Sequence, residues 1–516
     1  MAYAAVYILF TLLFTSWVIK SESARILAVF PTPSYSHQIV FRPLTHELAR
    51  RGHEVVVVTT DPVFLKENIP GNLTEIDVHD ISYDIWRKKF LEIPTGKKRN
   101  LQDNLKVIYN IVGEVFDEQL KNTEFKKIID ERQRFDLLIL EAWIRPTLVL
   151  SHIFKAPVIQ ISSLGRLWYN YEDLGAPVHP FLNPLPVRQK LYNLTIWEKI
   201  NELFIEWKYN SVMNDVEMIY DEWIKSTFGP ETPKLKELSN NIAMFFNNKH
   251  PIWEGNNPIP PSIIHIWGIN QKPEKQLPKE LQTYLDSSKV GVIYISFGTN
   301  VDTAKLPIET IQVFINVFSK LEFNVLWKWN QDVLPGKSDN IRISKWFPQS
   351  DLLRHPNIKL FITQGGQQST DEAIVAGVPL IGIPMLSDQW YNAEKYIHHG
   401  IGKKLFIESL TEVELRATIE DVIGNESYRK NIKKLSALMH DEPMSGLQRA
   451  VWWTEHVLRH GGARHLRAPA ANISWAQYLE LELVAILLFT IIVLIFLILG
   501  ILRLLLVCFQ NFHEKG

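Results

Sequence analysis

The sequence predicts an α/β protein of two facing Rossmann-like domains, followed by a membrane-spanning helix near its C-terminal end. Three observations carry this prediction. Short apolar runs of the buried-strand kind alternate with amphipathic stretches in two blocks, residues 24–270 and 289–444, an alternation that builds parallel sheets covered by helices on both faces. A polar stretch, residues 271–288 with Lys272-Pro273 and Pro278, parts the blocks as a linker. Leu483 to Leu502 holds no charged residue, and about 20 apolar residues suffice to span a bilayer.

At 516 residues the chain has room for two domains of ordinary size. Lys and Arg number 55 against 56 Asp and Glu, a balance that gives no sign of a nucleic-acid partner. Cys508 is the only cysteine, so no disulfide can form within the chain.

From the N-terminal end, Ala4 to Val18 is a compact apolar run followed by Lys20-Ser21-Glu22-Ser23. It reads as a cleavable signal peptide over residues 1–23, with an uncleaved anchor as the alternative. The body is then expected in the lumen and residues 503–516 in the cytoplasm, with Arg503 and Lys515 on the far side and Trp475 and Tyr478 at the near interface. Four Asn-x-Ser/Thr sequons, at Asn72, Asn193, Asn425 and Asn472, are compatible with that topology.

In the first block, Ile26 to Phe30 reads as a buried strand. A turn through Pro31 to Ser36, an amphipathic helix over Phe41 to Arg51 closed by Gly52, and a strand over Val55 to Val58 complete a βαβ unit. No Gly-x-Gly-x-x-Gly follows the first strand, so a dinucleotide site is not expected there. His37 falls on the loop at the strand's carboxyl end, where a group titrating near working pH can serve as a general base. Asp136 to Leu140 and Val158 to Ile161 read as further strands with a helix after Pro146 between them, and Glu141 directly follows the first of these. From Leu167 to Trp223 aromatic residues are dense, with helical spacing from Asn193 onward. They suit either a helical layer capping the sheet or an apolar surface that rests on a membrane and admits lipophilic substrates.

The second block opens with the strand Val292 to Phe297, then a helix from Pro307 and the strand Val325 to Trp327. Leu360 to Thr363 is an apolar strand that turns at Gly365-Gly366 into a helix starting with Gln367-Gln368-Ser369. Such a turn aims backbone N–H groups and the positive end of a helix dipole at one spot, which suits a phosphate. Gly377 to Pro384 is another buried strand, with Asp388-Gln389 on the loop beyond it, at the side of the sheet where ligands bind. Ser445 to Arg467 reads as one long helix.

This order of elements, together with Trp346-Phe347-Pro348-Gln349, resembles the donor-binding signature of the UDP-glycosyltransferase family from about Arg25 to the C-terminal end. The resemblance implies a GT-B fold, with the acceptor domain first, the UDP-sugar domain second, and residues 445–475 crossing back to the first domain. It implies His37 as catalytic base, oriented by Glu141, where relatives usually carry Asp. Trp346 and Gln349 match the positions that hold the uracil, and Glu372 matches the ribose carboxylate. Thr299, Gly366, Gln368 and Ser369 match those around the diphosphate, and Asp388 and Gln389 those on the sugar hydroxyls. Gln364 stands where many relatives place a His on the diphosphate. The ending His513-Glu514-Lys515-Gly516 lacks the di-lysine common among members. No metal or cofactor is expected, since the UDP-sugar is a co-substrate; adjacent His398-His399 do not share a helix face.

The resulting expectation is an inverting transferase of the endoplasmic reticulum membrane, acting on a small lipophilic acceptor, with assembly as a homo-oligomer left open. Glucose is the expected sugar, because the wording resembles invertebrate relatives. Glucuronosyl transfer is one alternative, and a catalytically idle lipophile-binding or carrier protein is the other.

Overall fold

A computed structural model describes residues 23–63, 71–93, 95–96, 100–167, 169–471 and 473–513. Residues 1–22 of the expected signal peptide, the sequon Asn472, and Lys515 lie outside the described residues.

Two parallel sheets organise the chain. The first joins β1 (Arg25–Phe30), β2 (Glu54–Thr59), β3 (Leu73–Asp77), β4 (Leu137–Glu141), β5 (Val158–Ser162), β6 (Ile242–Asn247) and β7 (Ile263–His265) in the order β3-β2-β1-β4-β5-β6-β7. The second joins β8 (Val292–Ser296), β9 (Asn324–Lys328), β10 (Ile341–Ser344), β11 (Ile358–Thr363), β12 (Leu380–Gly382) and β13 (Gly402–Lys404) in the order β10-β9-β8-β11-β12-β13. Both central strands are buried on both faces, as their unbroken apolar runs require. On β1, Leu27 and Val29 enter one core while Ile26, Ala28 and Phe30 enter the other. On β8, Ile293 and Ile295 likewise face away from Val292 and Tyr294.

The helices used below are α1 (Tyr35–Arg50), α2 (Asn100–Gln119), α3 (Ile196–Phe228), α4 (Lys279–Ser287), α5 (Ile308–Phe318), α6 (Gln367–Ala376), α7 (Gln389–His398), α8 (Gly446–His460) and α9 (Leu481–His513). Four of them differ from the sequence reading. Helix α1 begins at Tyr35, so His37 sits in its first turn and not on a loop. Extended Ser34 offers its carbonyl to the N–H groups of His37 and Gln38, and Pro43 lies inside the helix. The segment read as a linker carries α4, whose Leu281 and Leu285 reach the core of the second sheet. Helix α8 stops at His460, because Gly461 takes a left-handed φ of 62° and closes it. Helix α9 runs on through Arg503, since one charge does not break backbone hydrogen bonding. Strands β3 and β10 are mixed polar edges, and β7, β12 and β13 are three residues each, too short to show a period.

Helix α8 belongs to the first sheet's packing. Its Ala450, Val451 and Val457 join the core with Val40 and Leu44 of α1, and Arg51 grips Glu455 at 2.6 Å. The helix enters this position tightly: a Cβ on Gly446 would lie 2.4 Å from the carbonyl oxygens of Ile266 and Trp267. Backbone cannot yield as a side chain would. Gly446→Ala is therefore expected to destabilise the protein by about 1–3 kcal/mol, seen as a lowered unfolding temperature with unchanged substrate KM in the surviving fraction.

Candidate active site

The strand orders open two crevices. In each sheet the first strand lies between its second and its fourth, so connections leave to opposite faces and the carboxyl ends part there. Residues after β1 and β4 line one crevice and residues after β8 and β11 line the other. They meet in a single cleft of about 420 Å³ that touches His37, Thr299, Trp346, Gln349, Gln364, Gly366, Gln368, Ser369, Glu372, Asp388 and Gln389. Every sequence-predicted site residue but Glu141 thus faces one space.

Glu141 stands directly behind. It is the last residue of β4 and buried, and its Oε1 lies 2.7 Å from His37 Nδ1. A carboxylate only accepts hydrogen bonds, so Nδ1 carries the proton and the Nε2 lone pair is left for the cleft. Two further donors hold the carboxylate: the Thr32 N–H at 3.1 Å on Oε2, and the Trp143 indole N–H at 2.9 Å on Oε1. That indole also donates to Thr32 Oγ1 at 2.8 Å. Trp143 and Thr32 were not singled out from sequence. Their signal was positional, two residues past Glu141 and two past the end of β1.

On the second sheet, the Gly365-Gly366 turn behaves as its sequence suggests. Gly365 takes φ of 89°, and Gly366 is the N-cap of α6. Gln364 is buried with no partner for Oε1. Its Nε2 would lie only 2.2 Å from a Cβ on Gly298, so the glycine at 298 makes room for this amide. Lys328, at the end of β9, was missed by sequence reasoning although it directly follows the apolar run Val325 to Trp327. Its Nζ donates to Gly298 O at 2.5 Å and stands 5.7 Å from the Trp346 ring. Burial lowers its pKa with no carboxylate among the causes, so an anion placed beside it would favour the charged form.

Trp346 is 55% exposed, in a T-shaped contact with Tyr35 at 5.6 Å, so part of its indole surface is available to a planar ring. Gln349 braces rather than reaches: Oε1 accepts from Tyr294 Oη at 3.0 Å, while Nε2 donates to Glu372 at 2.7 Å and to Ser369 Oγ at 3.0 Å. Glu372 is held with its pKa raised by burial, partly offset by that hydrogen bond. The Gln368 amide crosses the cleft to the Ser163 carbonyl at 3.1 Å, leaving its backbone N–H at the helix start. Asp388, N-cap of α7, has its pKa raised by burial and opposed by nearby Lys249. Gln389 Oε1 accepts from the N–H groups of Met385 and Leu386, both at 2.8 Å, which orients its amide.

Next to Glu372, Asp371 joins the two units. Its Oδ1 accepts from Trp267 Nε1 and Gln367 Nε2, each at 2.9 Å, while Oδ2 has no partner. Burial pushes this carboxyl up to about 7. The unfolded chain releases that proton near pH 4, so between about pH 4 and 7 the folded state binds more protons and loses stability as pH rises. Asp371→Asn is expected to remove this loss, its melting temperature gaining on the parent's as pH rises from about 5 to about 8.

The described sequons Asn72, Asn193 and Asn425 are exposed; the Oδ1 of Asn425 also caps the following helix through the Ser427 N–H at 3.0 Å.

Comparison with known proteins follows the same lines. The family model described as UDP-glucoronosyl and UDP-glucosyl transferase matches residues 25–516. An ecdysteroid UDP-glucosyltransferase of Spodoptera littoralis nuclear polyhedrosis virus is 33% identical, over 92% of this chain and 95% of the viral protein. The UDP-glycosyltransferase UGT5 of Dactylopius coccus is 32% identical, over 94% of this chain and 92% of its own. Among solved structures, UDP-glucose: anthocyanidin 3-O-glucosyltransferase in complex with UDP superposes with a TM-score of 0.58 at 16% identity, covering 85% of this chain and all of that one. The shared fold is the two-domain GT-B architecture.

Proposed function

The chain belongs to the UDP-glucuronosyl and UDP-glucosyl transferase family, and from that premise we propose that it transfers glucose from UDP-glucose to a hydroxyl of a small lipophilic acceptor, with inversion. The observation that carries this reading is the His37–Glu141 pair at 2.7 Å, its free Nε2 facing a phosphate-binding turn across one cleft. His37 Nε2 takes the acceptor's proton as its oxygen bonds to the anomeric carbon. The carbon–oxygen bond to UDP breaks on the opposite face, and UDP leaves with the electron pair. Glu141 stabilises the imidazolium thus formed. The N-terminus of α6, Thr299 and Lys328 receive the diphosphate charge, Lys328 supplying what the neutral Gln364 does not. Trp346 stacks on the uracil and Glu372 accepts from the ribose. The donor is a co-substrate, and the scheme uses no other cofactor. Apolar lining from Ile39, Phe90, Leu105, Ile108 and Leu167 supports a lipophilic acceptor.

The charge pattern favours glucose over glucuronic acid. Of the cations that line the cleft, Lys272 and Arg354 stand by Glu372 and Lys328 by Trp346, while the Asp388-Gln389 end presents a carboxylate and an amide. A glucuronate carboxylate there would face the Asp388 carboxylate, and the lysine set against Asp388, Lys249, is buried and not among the residues lining the cleft.

The test is UDP release by membranes carrying the full chain, offered UDP-glucose or UDP-glucuronic acid with a panel of phenols and ecdysteroids. UDP-glucose is expected to be preferred by about tenfold or more, the worth of one unpaired buried charge. Equal use of both donors refutes the sugar assignment, and no release with either refutes the enzyme. The location that goes with this reading is the endoplasmic reticulum membrane, body in the lumen. In support, residues Leu481–Asn511 of α9 form an exposed run long and apolar enough to cross a bilayer.

A further inference from the structure

A second cavity lies at the other end of the first sheet. It is lined by Pro157, directly before β5, and by Ile242 and Ala243, which open β6. These are amino ends of strands, whereas the cleft opens at carboxyl ends. Its volume is about 350 Å³, close to that of the cleft, and the two share no lining residue.

The charges of this cavity have one sign. His152, Lys155, Arg464 and Arg467 line it, and no aspartate or glutamate does. Two separate turns supply them. Lys155 closes the short helix Val149–Phe154, whose last turn holds His152. After Gly461 ends α8, a 3₁₀ turn over Arg464–Leu466 sets Arg464 and Arg467 three positions apart. At that spacing side chains eclipse in a 3₁₀ turn, so both guanidinium groups leave from one side.

Neutral groups, and not carboxylates, hold these cations in place. Arg467 donates from Nη2 to Asp173 O at 2.8 Å and from Nη1 to Ile242 O at 3.3 Å. The Asp173 carboxylate raises the Arg467 pKa against the larger effect of burial, but it is already paired with Arg145 at 2.7 Å. Lys155 Nζ donates to His152 Nδ1 at 3.3 Å. Burial lowers the His152 pKa, and the charges of Lys155 and Arg132 lower it further. Like charges gathered in a concavity focus the potential and concentrate anions there.

We propose that this cavity binds a phosphate ester, with Arg464, Arg467 and Lys155 on the phosphate and the remaining space around its organic part. A guanidinium fork matches two phosphate oxygens at once, and an ammonium adds a point charge. The rim beside the cations is open: a Cβ on Gly461 or Gly462 would meet no atom within 4 Å. A soluble ester and the head group of an anionic phospholipid carry the same chemistry, and α9, starting at Leu481, follows Arg467 closely in the chain. The site stands apart from the glycosyl-transfer reading and does not depend on it.

The experiment reads binding and not turnover, so its failure is separable from failure of the enzymatic reading. The full chain in detergent, with UDP present to occupy the cleft, is titrated calorimetrically with glycerol 3-phosphate. Sodium chloride at matched ionic strength is the reference. In a second arm the full chain in phosphatidylcholine vesicles containing phosphatidic acid is delipidated stepwise, and retained lipid is read by mass. The variant joins Arg464→Gln to Lys155→Asn, since both side chains are exposed and Asn tolerates the left-handed φ of 55° at that position. Saturable binding is expected in the parent, weakened about tenfold or more in the variant, with UDP affinity unchanged. Binding of glycerol 3-phosphate assigns a soluble ester, and retention of phosphatidic acid alone assigns a lipid head group. Binding in neither arm overturns the proposal, and so does equal binding by parent and variant. If the double variant melts early, the single Arg464→Gln carries the same comparison.

Discussion

Replacing His37 by Gln is expected to lower kcat by about 10²–10⁴-fold, the usual worth of a general base, while leaving UDP affinity unchanged. The split follows from where the groups sit. Trp346, Glu372, Lys328 and the N-terminus of α6 all belong to the second sheet's unit, and none depends on His37 for its position. Gln keeps an N–H that can point at Glu141, so the buried carboxylate is not abandoned and the fold should survive. Turnover by donor consumption and UDP binding by calorimetry check the two halves separately. Equal loss of both would mean that His37 holds the cleft together and does not take a proton.

Glu141→Gln is expected to cost a comparable factor, about 10²–10⁴-fold in kcat, for a different reason. The amide has one acceptor where the carboxylate has two, and Glu141 uses both oxygens: Oε1 for His37 and Trp143, Oε2 for the Thr32 N–H. An amide nitrogen facing Thr32 sets donor against donor. Turning it toward His37 instead forces the wrong tautomer, with the proton on Nε2 where the base must be free. Glu141→Asp, the residue usual in relatives, restores the charge but shortens the reach from β4 by one methylene. We expect it to fall between the parent and Glu141→Gln. An aspartate as active as the parent would show that the extra methylene is absorbed elsewhere. Rates across pH for all three separate a lost base from a displaced one, since only the former removes the acidic limb of the profile.

Much of this site was legible before any coordinates. A buried strand, two glycines and a helix start are local patterns, and β11, Gly365-Gly366 and α6 fall where the sequence places them. Asp388 and Gln389 likewise open α7 at the carboxyl end of the sheet. Local pattern misled where the deciding interaction came from elsewhere in the chain. The helix read from Phe41 in fact starts at Tyr35, and a polar segment with two prolines hid α4, whose leucines pack into a core built elsewhere in the chain. Gln349 does line the cleft, and what the sequence did not show is that its amide bonds to Tyr294, Ser369 and Glu372 there.

By itself, then, the sequence determined the two α/β units, the glycine turn into α6, the bilayer-length helix and the residue types available for chemistry. All of these are written in periodicity, glycine placement and composition within a few residues. No local pattern brings His37 to Glu141 across 104 positions, a meeting that only the family resemblance implied; tertiary structure alone decided that Trp143 and Thr32 steady that carboxylate and that Lys328 reaches the Gly298 carbonyl. It also decided that the aromatic face of α3 stays uncovered, whereas the return of α8 to the first sheet was implied by the resemblance. The physical reason is strand order: which ends converge depends on how the connections cross the sheets, and no local period encodes that.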